Sequence, residues 1–164
     1  MTEASGAVVR EAVTRTVEWV DTDAAGHHHN SFVLRSVEAA EARLFRRLGV
    51  LEAYFGAAPR VRQEVDYLSK LYFGQEATTV LELEAIGRSS MTFRFQVWGE
   101  AHDGGPSGRV ERRLAASGRF VTVHVPKDSE ASAPWPEAIR AAVEAEAAVE
   151  AGDEAPHGEA TAPA

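Results

Sequence analysis

The sequence contains no cysteine among its 164 residues. This absence excludes a thiol nucleophile, a disulfide framework and any metal site built with cysteine ligands, because each of them needs the sulfur atom. The sequence also lacks an apolar run of about 20 residues, the length that a membrane-spanning helix requires, and its first eight residues show no basic segment of a signal peptide. We therefore expect a soluble, cytoplasmic protein with no membrane partner.

Basic residues are outnumbered, with 17 Lys and Arg against 25 Asp and Glu and a formal net charge of −8. The imbalance is concentrated in residues 127–164, which hold nine acidic and two basic side chains, whereas residues 1–126 hold 16 acidic and 15 basic ones. The nearly neutral first part can hold the phosphates of a small ligand, but its basic residues form no nucleic-acid-binding motif. We therefore expect no nucleic-acid partner.

Aromatic residues are almost absent after residue 126: 12 of them lie before that point, and only Trp135 lies after it. A segment rich in Ala, Glu, Pro and Gly buries too little apolar surface to offset its chain entropy, which predicts disorder over residues 151–164. Pro136 at a helix start predicts a short exposed helix over residues 136–150. The chain thus divides into a flexible N-terminus (1–8), one domain (9–126) and an acidic tail (127–164).

Apolar and polar residues alternate in five stretches before residue 126, which predicts five β-strands. The first strand carries Val13, Arg15, Val17 and Trp19 on one face. The other four are predicted over residues 61–67, 78–86, 91–97 and 115–125, and a glycine-rich hairpin loop over residues 102–108 separates the last two. Because four of these strands follow one another, the pattern favours an antiparallel sheet.

One long helix is predicted over residues 31–48. Val33, Val37, Ala40, Leu44 and Leu48 recur at helical spacing and form one apolar face of four to five turns. Asn30 or Ser31 suits the N-cap, and Gly49 suits the left-handed residue after the helix. A broad apolar face must be buried, so we predict an α+β fold in which a curved five-stranded antiparallel sheet wraps around this helix.

Polar residues are concentrated between the first strand and the helix, in the segment D-T-D-A-A-G-H-H-H-N over residues 21–30. Free N–H groups at a helix start stabilise negative charge, so a nearby carboxylate could attack a carbonyl, or activate water, while these groups polarise the carbonyl oxygen. The alternative is that Asp21 and Asp23 only stabilise the turn and cap the helix, a common use of aspartate. Residue types alone do not separate these interpretations.

Several motifs in a fixed order carry a family resemblance. Trp19 begins the segment W-V-D-T-D-A-A-G-H-H-H-N-S-F-V-L-R, and V-D-Y-L (65–68), F-G-Q-E (73–76) and I-G-R-S-S-M-T-F (86–93) follow it. Over about residues 9–126 the sequence resembles the 4-hydroxybenzoyl-CoA thioesterase-like branch of the hotdog-fold acyl-CoA thioesterases. The resemblance implies a hotdog fold and hydrolysis of a thioester to CoA and a free acid, with no metal or redox cofactor.

The resemblance also implies roles for individual residues. Asp23 would be the catalytic carboxylate, acting as nucleophile or as general base, while Asp21 would hold the loop. Gly26 would let the backbone approach the thioester closely, and His27 matches the G-H of the family. A backbone N–H near His29 or Asn30 would polarise the thioester carbonyl.

Further positions are assigned by the same resemblance. Arg88 and Ser89 fall where a strand end would bind the phosphates or the pantetheine arm of CoA, since arginine binds phosphate bidentately. Glu38 is the reserve catalytic candidate, because some hotdog thioesterases use a carboxylate on the helix; the alternative is a solvated helix residue.

The run of three histidines departs from the family pattern. Family members usually have an apolar residue at the position of His28 and often Asn at that of His29. A metal site is not expected, because consecutive side chains converge poorly on one ion and no partner at metal-ligand spacing accompanies them. We interpret them as walls of a substrate pocket or polar groups at the helix start.

Two other functions stay open. Asp23 and His28 have the D-x-x-x-x-H spacing of hotdog hydratases and dehydratases, although the N-P-x-H context is missing, and a non-catalytic acyl-CoA-binding module could share the fold. The substrate could be an acyl-CoA or an acyl-carrier-protein thioester. By resemblance the subunits form dimers or tetramers with active sites at the dimer interface, and exposed sheet edges give that a physical reason.

Overall fold

The structure is a computed structural model, and it describes residues 8–153. The five long strands are β1 Val9–Thr16, β2 Arg60–Tyr67, β3 Glu76–Ile86, β4 Ser90–Gly99 and β7 Arg113–Val123. They form one antiparallel sheet in the order β1-β3-β4-β7-β2. The predicted five-stranded antiparallel sheet is confirmed.

Between β4 and β7 the predicted hairpin loop contains a small two-stranded sheet, β5 His102–Gly105 with β6 Gly108–Val110. The first long strand is shorter than predicted. It stops at Thr16 because the backbone of Val17 bonds to Gln75 and Gly74, and a short 3-10 helix (Trp19–Asp21) follows. Trp19, predicted to share one face of that strand with Val13 and Val17, lies in this 3-10 helix and is 77% exposed.

The long helix α1 spans Ser31–Arg47 and packs on the concave face of the sheet. Its inward face is fully buried and comprises Phe32, Val33, Val37, Ala40, Leu44 and Phe45. Each such side chain contributes roughly 2 kcal/mol of burial free energy. Gly49 follows the helix with a φ of 75°, as predicted for the left-handed residue. The α+β hotdog architecture predicted from the sequence is confirmed.

Buried side chains alternate with more exposed ones along β3 and β4, and they complete the core against α1. Bulges interrupt the pairing between Leu83 and Ala85 and between Val97 and Trp98. Bulges increase the local twist of a strand, which bends the sheet around the helix.

Two further helices were not predicted in this form. The short helix α2, Leu51–Phe55, follows α1. The third, α3, spans Glu137–Asp153 and is longer than the predicted exposed helix, with Ile139 and Val143 fully buried in the core. Trp135 just before it stacks on Tyr54 at 5.8 Å between ring centroids. This helix therefore packs against the domain along one face.

The predictions for the two ends of the chain fall largely outside the described residues. This applies to the flexible N-terminus, of which only residue 8 is described, and to residues 154–164 of the predicted disordered end; residues 151–153 belong to α3. Among the helices of residues 8–153, none has the length and apolar character needed to cross a membrane.

Candidate active site

Asp21 anchors the loop between β1 and α1. Its side chain is 2% exposed, and one carboxylate oxygen accepts a hydrogen bond from the Arg35 guanidinium at 2.6 Å. The other carboxylate oxygen accepts the backbone N–H of Glu18 at 3.0 Å. The backbone carbonyl of Asp21 accepts the N–H of His29 at 2.7 Å. Both oxygens are occupied, so Asp21 holds the loop and is not available to a substrate.

Asp23 is held differently, in a tight turn two residues later. The N–H of Gly26 donates to the backbone carbonyl of Asp23 at 3.0 Å, and the N–H of Ala25 donates to Oδ1 of its side chain at 2.8 Å. Gly26 has a φ of 79°, a conformation that residues with a Cβ rarely adopt. Oδ2 of Asp23 has no partner among residues 8–153 and the residue is exposed. The turn thus presents one free carboxylate oxygen to solvent.

His28 connects this loop to the segment that follows β2. Its backbone N–H donates to the carbonyl of Leu71 at 2.9 Å, and the N–H of Leu71 donates back to the imidazole Nδ1 at 3.0 Å. Leu71 is fully buried, so this double contact fixes the ring against the core. Burial and the neighbouring His27 lower the pKa of His28 below its ordinary value, more than the backbone of Leu71 and the carboxylate of Asp23 raise it.

At the start of α1, one backbone N–H is left free near Asp23. The N–H of His29 is occupied by Asp21, and that of Ser31 donates to the His29 ring at 3.2 Å. Within the described part of the chain, the N–H of Asn30 has no acceptor. The carbonyl of Asn30 accepts the Tyr67 hydroxyl at 3.2 Å, and burial raises the pKa of that phenol. The geometry therefore favours Asn30 over His29 as a donor to a substrate.

These groups line one cleft of about 460 Å³. One wall is the β1–α1 loop, with Asp23 and the three histidines, and the other is the end of β2 and the residues after it. The lining residues are Asp23, His27, His28, His29, Asn30, Tyr67, Leu68, Ser69 and Lys70. Sequence reasoning missed the second wall, although the V-D-Y-L motif marked that position.

Three predicted site residues lie elsewhere. Glu38 is exposed on α1 and lines a separate groove between α1 and α2. Arg88 and Ser89 form the turn between β3 and β4, at the C-terminal end of β3. The Asp23 loop lies at the other end of β3, whose first residue, Glu76, pairs with Thr16 just before that loop. Ten residues of strand at about 3.3 Å each separate the two ends. Within one chain, therefore, these residues do not join the Asp23 cleft.

Among residues 8–153, no group of three or more His, Asp or Glu side chains is arranged to hold a metal ion. The imidazoles of His27 and His28 also have separate backbone partners: His27 bonds the carbonyl of His28 at 3.2 Å, and His28 bonds Leu71.

A curved sheet around one helix, with a free carboxylate beside a helix N-terminus, defines the class of hotdog-fold thioester hydrolases. Comparison with known proteins agrees, since residues 17–143 match the model of the thioesterase-like superfamily. The chain belongs to this superfamily and is a thioester hydrolase. No curated protein sequence matches the chain.

Solved structures of similar proteins agree with this assignment. A thioesterase from Thermus thermophilus, complexed with coenzyme A and Zn, is 30% identical with a TM-score of 0.69, covering 84% of this chain and 94% of that one. A structure from Bacillus stearothermophilus, described as a predicted thioesterase, is 26% identical with a TM-score of 0.68, covering 84% and 96%. The 4-hydroxybenzoyl-CoA thioesterase of Pseudomonas sp. strain CBS-3, at 18% identity and a TM-score of 0.65 over 80% and 97%, shares the fold.

Proposed function

We propose that the protein is an acyl-CoA thioesterase that uses Asp23 as its catalytic carboxylate and the backbone N–H of Asn30 as the donor that polarises the thioester carbonyl. One observation carries the proposal: Asp23 and Asn30 line the same cleft, and among residues 8–153 one carboxylate oxygen of Asp23 and the backbone N–H of Asn30 are unpaired. His27 and His29 line that cleft as parts of the substrate pocket, and Gly26 shapes its turn.

The reaction follows from these two groups. If Asp23 acts as a base, it takes a proton from water as the water oxygen bonds to the thioester carbon, and the intermediate then expels the CoA sulfur, which receives that proton. If Asp23 acts as a nucleophile, it displaces CoA as the thiolate and the resulting anhydride is cleaved by water. In both routes the carbonyl oxygen becomes anionic, and one donor to it is worth roughly 3 kcal/mol in the transition state.

Coenzyme A as the leaving group is supported by similar structures solved with it, including the thioesterase from Thermus thermophilus. Arg88 and Ser89 can serve this ligand only if a second copy supplies them. The outer edge of β2 pairs with no strand of residues 8–153, and exposed apolar side chains lie at its two ends, with Val61 59% exposed near the start and Leu68 56% exposed just after the strand. We therefore propose a homo-oligomer built on this edge.

If two β2 strands pair antiparallel about a two-fold axis, every strand of the partner sheet runs in the opposite direction to its counterpart in the first sheet. The turn holding Arg88 of the second copy would then lie at the same end of the joined sheet as Asp23 of the first. Three to four strand spacings of about 4.8 Å separate that turn from the end of β2. CoA is long enough to span roughly this distance.

The cytoplasmic location stays a prediction from the sequence.

The test is the release of free thiol across a panel of acyl-CoA and acyl-carrier-protein thioesters, with the wild type beside Asp23→Asn. We expect the wild type to release thiol and Asp23→Asn to lose about 10²- to 10⁴-fold in kcat, the range for a general acid or base. Asp103→Asn, an exposed aspartate on β5, is the matched control and should keep wild-type kcat.

Other outcomes would contradict the proposal in distinct ways. Absence of thiol release from every substrate would refute the thioesterase. Loss of an enoyl chromophore without thiol would indicate a hydratase, and binding of acyl-CoA without either change would indicate a non-catalytic module. A chain that sediments as a monomer at micromolar concentration would refute the oligomer, and Val61→Asp is expected to produce that monomer.

A further inference from the structure

Two adjacent histidines in the cleft are fixed in opposite tautomers by the backbone. The Nδ1 of His27 lies 3.2 Å from the carbonyl oxygen of His28, and because a carbonyl can only accept, this nitrogen carries a hydrogen. The Nδ1 of His28 receives the N–H of Leu71 at 3.0 Å, and because an amide can only donate, this nitrogen is unprotonated. A neutral His28 therefore carries its hydrogen on Nε2.

The same contact keeps His28 neutral. Protonating Nδ1 would place two hydrogens between it and the amide of Leu71, so the imidazolium requires the loop to separate from the core. Burial and the imidazole of His27 lower the pKa of His28, against the opposing effects of the Leu71 backbone and Asp23. The charged and titratable groups that line the cleft beside His28 are Asp23, His27 and His29 on the same loop and Tyr67 and Lys70 on the opposite wall.

His28 lines the cleft, and its Nε2 is the ring nitrogen that Leu71 does not use. The Phe32 ring supports the imidazole edge-on at 6.4 Å between ring centroids. Within residues 8–153 the Nε2 atom has no hydrogen-bond acceptor, and it is not sealed from solvent. His28 thus offers the cleft an unused donor in a fixed orientation.

We infer that His28 donates a hydrogen bond through Nε2–H to the thioester carbonyl oxygen, as a second donor beside the backbone N–H of Asn30. The inference rests on the proposed function. Asp23 and His28 lie on the same loop and line the same cleft, so a thioester whose carbonyl carbon is attacked from Asp23 has its carbonyl oxygen in the cleft that His28 lines. The rigid contact with Leu71 means that the donor needs no reorganisation when charge develops on that oxygen.

Two substitutions separate the donor from the contact that holds it. His28→Asn places an amide oxygen where Nδ1 accepts the Leu71 N–H, but it removes the donor at Nε2. His28→Gln retains an amide donor near the position of Nε2 and loses the acceptor for Leu71. If His28 has only a structural role, His28→Gln should lose more kcat than His28→Asn. If His28 is a hydrogen-bond donor to the substrate, His28→Asn should lose more kcat than His28→Gln.

We expect His28→Asn to lose about 10²-fold or more in kcat, with KM and the unfolding temperature close to wild type. His28→Gln should retain kcat within about tenfold while unfolding at a lower temperature. Wild-type kcat in His28→Asn would overturn this inference alone, provided that the wild type hydrolyses the thioester and Asp23→Asn does not. If the wild type hydrolyses no thioester of the panel, both the proposed function and this inference are refuted.

A second readout does not depend on activity. Nitrogen-15 NMR of the histidine rings distinguishes a protonated nitrogen from an unprotonated one. At neutral pH we expect the His28 ring to be neutral with hydrogen on Nε2, and the His27 ring to carry hydrogen on Nδ1. An Nδ1–H tautomer or an imidazolium at His28 would refute the fixed donor.

Discussion

The Asp23 cleft and the groove between α1 and α2 both contain carboxylates, and Asp23 in the cleft is held very differently from Glu41 in the groove. In the Asp23 cleft the side chain is exposed and one oxygen is unpaired among the described residues. In the groove between α1 and α2, Glu41 is 2% exposed; one oxygen accepts the Tyr54 hydroxyl at 2.7 Å and the other accepts Arg60 at 2.5 Å. The groove, at about 680 Å³, is the larger recess.

The larger recess is therefore not the one that contains the proposed catalytic carboxylate. Burial raises the pKa of Glu41, against the opposing effect of Arg60, and burial raises the pKa of Tyr54 as well. Thr122 lies 3.0 Å from the same hydroxyl, so the network is closed on itself. A carboxylate whose oxygens are both bonded inside the protein stabilises the fold, whereas a carboxylate with one open oxygen can take part in a reaction.

The largest expected effect that sharpens this contrast is on stability. Glu41→Ala leaves Arg60 without its buried counter-ion and removes one partner of the Tyr54 hydroxyl, which we expect to lower the free energy of unfolding by about 3 kcal/mol. The kcat of the folded variant should stay within about twofold of wild type. Urea denaturation together with the thiol-release assay checks both; a large loss of kcat at full stability would make Glu41 the functional carboxylate.

A smaller effect is expected at the anchor of the cleft. Arg35→Met removes the guanidinium that bonds Asp21 and leaves a buried oxygen unsatisfied, at a cost of about 1 to 3 kcal/mol in unfolding free energy. Because Asp21 also holds the backbone of His29, we expect kcat to fall too. Arg43→Met serves as the control: it removes the contact of the exposed Arg43 side chain with Glu11 at 3.3 Å, but Arg47 still pairs with Glu11 at 2.9 Å, so neither quantity should change measurably.

The pH dependence of stability offers a third test. The pKa of His28 in the folded protein lies below its ordinary value of 6.5, so below about pH 6.5 the unfolded chain binds a proton that the folded protein does not. His28 therefore makes the free energy of unfolding decrease as pH falls through this range, by at most about 1.4 kcal/mol per pH unit. Denaturation at several pH values should show a shallower decrease in His28→Asn, and equal slopes would contradict the neutral, buried ring.

The smallest effect is expected at Glu38, the reserve catalytic candidate. It is exposed on α1 at the rim of the groove, outside the cleft that holds Asp23. Glu38→Gln should therefore leave kcat unchanged and stability within about 0.5 kcal/mol. A strong loss of activity in this variant, with Asp23→Asn fully active, would move the reaction to the groove and reverse the comparison.

Most of the fold was predictable because its pattern is local. The spacing of Val33, Val37, Ala40 and Leu44 predicts α1, and the alternation around Phe93 and Phe95 predicts a strand with one buried face. The burial of α3 was not predictable in this way, because Ala-rich helices with few large apolar residues look exposed in sequence. Its two buried residues, Ile139 and Val143, owe their burial to the surface that they meet.

The candidate site was predictable in part. The crowding of polar residues before a helix predicts a functional loop, and the family resemblance selects Asp23 over Asp21. Which of the two aspartates is open and which is sealed depends on Arg35, one turn into α1, and on Glu18 before the loop. Such pairing follows from how the loop folds back, and a linear pattern does not contain it.

The sequence by itself determined the elements and the class of chemistry: a helix with one apolar face, five alternating strands, no thiol, and a carboxylate beside a helix start. Only the tertiary structure decided which groups meet there. His28 bonds Leu71, which is 43 residues away, and the cleft's second wall, from Tyr67 to Lys70, comes from a different strand. Residue periodicity reports the burial of one segment at a time, whereas a hydrogen bond between distant segments exists only after the sheet has brought them together.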